Sequence, residues 1–225
     1  MKTRQEIKLQ AKTNMGRQRA TAVLIELTVI VIALVCGLLG LIPFIGWIIT
    51  VCGSLIAMLL QVSISGAYTS IYKGEQTSVG TVISNAGVNP ARKIGGLLWE
   101  ALFLLLWSLL FFIPGIVKAY SYMMTPFILA VYPDVPATAA LKLSMRMTQG
   151  HKWKLFVMQL SFIGWMILSA LTLYILLIFH VGPYMQTTLA GYFVELRDEA
   201  LRKGIIRPEE LGMEKSWTVG ALEGN

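Results

Sequence analysis

The chain has 225 residues, of which 56% are hydrophobic and only 14% charged, and a mean hydropathy of +0.66. Soluble domains carry about 25% charged residues, so the composition argues against a soluble fold and for an all-α polytopic membrane protein. The net charge of +7 would suit nucleic acid on a soluble chain. Here the basic residues flank apolar runs, so anionic membrane lipids are the expected partners and nucleic acid is not.

The first apolar run, about residues 20–42, follows a basic arm and has no small-residue cleavage site, so it reads as a retained transmembrane helix. A bilayer core needs roughly 20 apolar residues in a helix. Five more spans follow on that measure, at about 44–66, 94–113, 116–132, 155–179 and 184–196. Pro43 and Gly46 predict a tight turn between the first two spans, Pro114-Gly115 between the next two, and His180-Val181-Gly182-Pro183 between the last two. Pro126 predicts a kink in the fourth. The sixth is short and polar, with Gln186, Thr187 and Thr188 near its start, and continues as a mixed-charge helix to Lys203. Residues 1–203 therefore read as one membrane domain and 204–225 as a flexible tail.

Every Lys and Arg except Lys118 falls on one face of this topology, which places both termini in the cytoplasm. The expected interface or lipid contacts are Arg17, Arg19, Arg92, Lys93, Arg146, Lys152 and Lys154, with Lys118 alone on the opposite side, snorkelling.

The plan repeats three times: a basic segment, a helix, a Pro-containing turn and a returning helix. Arg19 precedes Glu26 by seven residues, Lys93 precedes Glu100 by seven, and Lys152 precedes Gln159 by seven. Each polar residue thus sits about 10 Å in from the basic end. The segments before the helices are amphipathic. Ile7, Leu9 and Ala11 give one apolar pattern, residues 68–84 a second, and Leu141, Met145 and Thr148 against Lys142 and Arg146 a third. Such helices are expected to lie in the interface with the apolar side toward lipid.

Glu26, Glu100 and Gln159 form the candidate intramembrane site, because ionisable groups at that depth are costly and need partners. One reading makes Glu26 and Glu100 a proton- or cation-binding pair in a shared cavity. The other makes them interhelical hydrogen bonds that lock hairpin packing, as for Gln61 and Gln159. Cys36 and Cys52 read as buried free thiols. They lack metal-ligand spacing, and no cofactor, metal or catalytic constellation is found.

Three strings carry a resemblance. Residues 106–118, from Leu106-Trp107-Ser108 to Ile116-Val117-Lys118, are one. Ser144 to Trp165, with Gly150-His151-Lys152-Trp153-Lys154-Leu155-Phe156, is the second. Pro183-Tyr184-Met185-Gln186-Thr187-Thr188 through Phe193 is the third. Together they resemble the bacterial membrane-protein family called domain of unknown function 975, over nearly the whole chain and most densely at 98–197. The resemblance implies a Gram-positive origin and a plasma-membrane location, but no activity. The family often carries an acidic residue where this chain has Gln159. It also looks similar to the membrane domain fused to some glycerophosphodiester phosphodiesterases, a hint of lipid-derived substrates.

The expected function is a non-enzymatic, transport-related or accessory protein that binds a lipid or other amphiphile between its hairpins. The alternatives are a membrane scaffold recruiting protein partners or anionic lipids, and a lipid-modifying enzyme.

Overall fold

The structure, a computed structural model, describes residues 2–43, 45–172 and 174–213. All of its regular elements are helical. They are α1 (Arg4–Arg17), α2 (Arg19–Leu39), α3 (Gly46–Lys73), α4 (Val79–Ala86), α5 (Pro90–Leu110), α6 (Phe112–Tyr122), α7 (Thr125–Val131), α8 (Ala137–Thr148), α9 (Lys152–Leu160), α10 (Ile163–Leu171) and α11 (Gly182–Arg202). A π-helical segment, Leu177–Val181, leads into α11, and a 3-10 turn, Pro208–Leu211, follows it. Local signals set several starts. Thr3 and Glu6 close a capping box on α1, Ser78 caps α4, and Pro90 occupies the first turn of α5, where its missing N–H costs nothing.

Outgoing helices pack on returning ones: α2 on α3, α5 on α6, and α10 on the π segment. The returning elements α3, α7 and α11 form the centre. α3 contacts both others, and Phe127 of α7 stacks on Phe193 of α11 at 5.4 Å. The helix that opens each repeat packs on the returning helix of the repeat before it: α4 on α3, α8 on α6 and α7, and α1 on α11, which closes the ring.

Four helices are long and apolar enough to cross a membrane: Arg19–Leu39, Gly46–Lys73, Pro90–Leu110 and Lys152–Leu171. Their outer surfaces are apolar, with Leu34, Leu38, Leu105, Leu109 and Ile167 all exposed. This is the pattern of a lipid-facing belt.

The other two expected spans differ in form. Residues 116–132 are split into α6 and α7, because Pro126 cannot donate to the helix ladder. Groups at the break are served by α8: Ser144 Oγ accepts from the Met124 N–H at 3.2 Å and donates to the Ser121 carbonyl at 2.7 Å. The segment 184–196 lies inside α11, whose Thr187, Thr188, Ala190, Gly191, Phe193 and Leu196 are buried. Its weak hydropathy has a physical reason: α11 meets protein, so its polar side chains face helices rather than lipid.

Two turns shift. The α5–α6 break falls at Phe111, with Pro114 inside the first turn of α6, a position a proline tolerates. The last hairpin turns near Thr172 and Tyr174, where Tyr174 takes a left-handed φ of 63°. His180-Val181-Gly182-Pro183 instead joins the π segment to α11, with Pro183 in the helix's first turn. Gly182 is required there: its N–H donates to the Leu177 carbonyl, and a Cβ would stand 2.8 Å from that oxygen.

Of the amphipathic segments, α1 and α8 turn their apolar sides to protein, whereas α4 buries Val82 and leaves Ile83 exposed. α1 buries Ile7, Ala11 and Met15, while Leu9 is exposed. Each fully buried side chain of this size contributes roughly 1.5–3 kcal/mol, so α1 belongs to the core. Asn14 Nδ2 donates to the Tyr72 carbonyl at 2.7 Å and Gln18 Nε2 to the Glu75 carbonyl at 2.8 Å, fastening α1 across the end of α3. α8 likewise buries Leu141, Leu143, Ser144, Met147 and Thr148. Beyond Gly204, Ile206 and Leu211 are buried, so the expected tail packs on the body up to Met213 and the rest of it lies outside the described residues. Cys36 and Cys52 are free, with Cys52 exposed on α3 rather than buried.

Candidate functional site

The three residues of the repeat lie on three different helices. Glu26, on α2, accepts the Tyr68 hydroxyl at 2.7 Å and lies 3.8 Å from where a Cβ of Gly182 would be. Gln159, on α9, accepts the Tyr120 hydroxyl at 2.6 Å. Glu100, on α5, acts on Tyr122 of α6, and its Oε2 is buried without a hydrogen-bond partner. Gln159 is thus bonded to α6 and Glu26 to α3. No hydrogen bond among the described residues joins the three.

Tyrosine partners were not drawn from the sequence, yet a signal for them exists. Ala67-Tyr68-Thr69 and Ala119-Tyr120-Ser121 are similar strings on returning helices of successive repeats.

Four of the eight basic residues expected at lipid make contacts within the protein. Arg92 donates to the carbonyls of Leu129, Tyr132 and Val135 at the end of α7. The Leu129 carbonyl lies in the last turn of α7, where a helix leaves its carbonyls unpaired. Lys93 is buried, its Nζ donating to the Asn85 carbonyl. Arg146 is paired with Glu210 at 2.6 Å. Lys118 lies 4.6 Å over the Trp107 ring, 3.9 Å from Met145 Sδ and within electrostatic reach of Lys152. Its neighbours therefore include residues of α8 and α9, which the charge pattern assigns to the other face. Arg17, Arg19 and Lys154 are exposed, and Lys152 is half-buried.

A second constellation gathers around His180. Its ring lies 5.9 Å from Trp165 of α10 and is stacked 6.2 Å from Tyr184 of α11. Tyr184 meets Phe162 edge-on at 5.4 Å, and Lys8 Nζ stands 4.3 Å over Phe162 while donating to Ser161 Oγ at 2.6 Å. The charges of Arg19 and Lys12 act on His180. The backbone beneath is the π segment, a form often found at functional sites. Gly182-Pro183 reads as a turn signal in the sequence, whereas His180 lies in a π segment that continues into α11.

Residues 97–200 match the model of a family described as protein of unknown function (DUF975). That stretch of the chain is similar to the DUF975 family. It runs from α5 to α11 and holds Glu100, Tyr120, Gln159, Trp165, His180 and Tyr184. Helices α1, α2 and α3, with Lys8, Arg19, Glu26 and Tyr68, precede the DUF975 match. No curated protein and no solved structure matches the chain.

Proposed function

We propose that the protein is a non-enzymatic, six-pass membrane protein of a bacterial plasma membrane, with both termini cytoplasmic, that binds a lipid or other amphiphile between its helical hairpins. The observation that carries this reading is the aromatic and basic constellation of Trp165, His180, Tyr184 and Lys8, set between the hairpin of α2 and α3 and that of α10 and the π segment. An amphiphile needs an apolar flank beside a polar rim, and this cluster joins an exposed Trp165 to a set of cations. Six passes add two segments to the four long apolar helices, the split pair α6 and α7 and residues 175–202. α3 has 28 residues, about 42 Å at 1.5 Å each, more than the roughly 30 Å core. Residues 175–202 are equally long. In both, the surplus end is where α1 packs. The accessory or transport role rests on the absence of a catalytic constellation in the sequence.

Lipid retention tests the reading. Protein purified in mild detergent and washed until bulk lipid is gone should keep a stoichiometric lipid, read by native mass spectrometry, and Trp165→Ala with Tyr184→Ala should lose it. Protein that retains none, or a double variant that retains as much as wild type, would sink the proposal.

A further inference from the structure

The geometry points to a headgroup site for an anionic, phosphate-bearing lipid along the π segment, with the phosphate on Lys12 and Arg19 beside Lys8 and the acyl chain against Trp165. This deepens the amphiphile reading and rests on it. The π segment packs on both α2 and α10, so it floors the strip between them. One end of that strip is apolar and open, since Trp165 is exposed along with Ile163, Met166 and Ile167 of α10. The other end is cationic. Lys12 is exposed one turn along α1 from Lys8, Arg19 is exposed at the start of α2, which packs on the π segment, and no acidic side chain is paired with either among the described residues. Lys8 is held in place by Ser161 and Phe162, so its charge is fixed at the rim. The carboxylate facing this region is Glu26, and its Oε1 is engaged by the Tyr68 hydroxyl. Three cations against one occupied carboxylate favour an anion, and a cation-lined rim beside an aromatic strip fits a phosphate joined to an acyl chain. Arg17 is equally basic and exposed, but nine residues from Lys8 it falls on the opposite side of α1, which makes it a control for unspecific surface attraction.

Trp165 reports on the site. In vesicles carrying brominated phosphatidylglycerol or brominated phosphatidylcholine, its fluorescence is isolated as the difference between wild type and Trp165→Phe. Quenching should be stronger with phosphatidylglycerol, and Lys12→Gln and Arg19→Gln should each weaken that preference by about fivefold, the value of one cation at an anionic surface. Arg17→Gln should leave it near wild type. Equal quenching by the two lipids, or equal effects of Arg17→Gln and Arg19→Gln, would overturn the site while leaving retention of a neutral amphiphile untouched. Inorganic phosphate should act no more strongly than chloride at matched ionic strength. If phosphate alone abolishes the preference, the site takes free phosphate and the lipid assignment falls.

Discussion

The Tyr68 hydroxyl donates to Glu26 Oε1 at 2.7 Å, tying the outgoing α2 to the returning α3 of the first hairpin. Tyr68 is fully buried, so losing its hydroxyl leaves a carboxyl without its donor. An unsatisfied buried polar group costs about 1–3 kcal/mol. Tyr68→Phe should therefore lower the thermal midpoint in detergent by several degrees, at about 2–4 °C per kcal/mol for a chain of this size. Glu26→Gln keeps an acceptor and should shift it much less. Equal losses in the two variants would show that charge on Glu26, rather than the hydrogen bond, holds the hairpin.

The four long apolar helices were legible because apolar runs are local signals. The register of Glu26, Glu100 and Gln159 also stands in the chain, but the repeat does not say what each residue meets. Glu26 and Gln159 find tyrosines on returning helices, Tyr68 of its own hairpin and Tyr120 of the preceding one. Such pairings are set by three-dimensional packing. The same limit hid the role of α11. Gln186, Thr187 and Thr188 lower its hydropathy, and only the ring of α1, α3 and α7 around it explains why that is tolerated. His180 was misplaced because a Gly-Pro pair fits a turn and a helix start equally well.

Gly191 is where α1 and α3 both close on α11. A Cβ there would stand 2.4 Å from Tyr72 Cε2 and 2.8 Å from Ile7 Cγ2. Both neighbours are buried, so neither can move aside freely. Gly191→Ala should destabilise by about 1–3 kcal/mol, the usual cost of overpacking, and should raise amide exchange in α1 before it does so in α5. An unchanged midpoint would mean that α1 docks more loosely than these distances imply.

Arg92 holds three carbonyls at the end of α7 with one guanidinium. A lysine carries the same charge but a single nitrogen on a flexible stem, so it cannot reproduce the fork. Arg92→Lys should lose about 1–3 kcal/mol, approaching Arg92→Ala, with increased exchange in residues 129–135. Full rescue by lysine would show that Arg92 acts as a point charge.

Glu210 fastens the segment after α11 to α8. Its carboxylate takes two bonds from Arg146, at 2.6 and 3.1 Å, and one from the Arg207 N–H at 2.8 Å. The Arg146 hydrogen bond, helped by the Arg207 N–H, holds the Glu210 carboxyl below its ordinary 4.5. A carboxyl lowered by folding adds stability that is present above its unfolded value and is lost as pH falls through its folded value. The segment should therefore stay docked at neutral pH and loosen below about pH 4, the unfolded carboxyl range, read as faster amide exchange at residues 205–213. Glu210→Gln removes the charge at every pH, so it should give that faster exchange already at pH 7 and flatten the acid response. A wild-type segment whose protection is unchanged down to pH 3 would show that Ile206 and Leu211 hold it by burial alone.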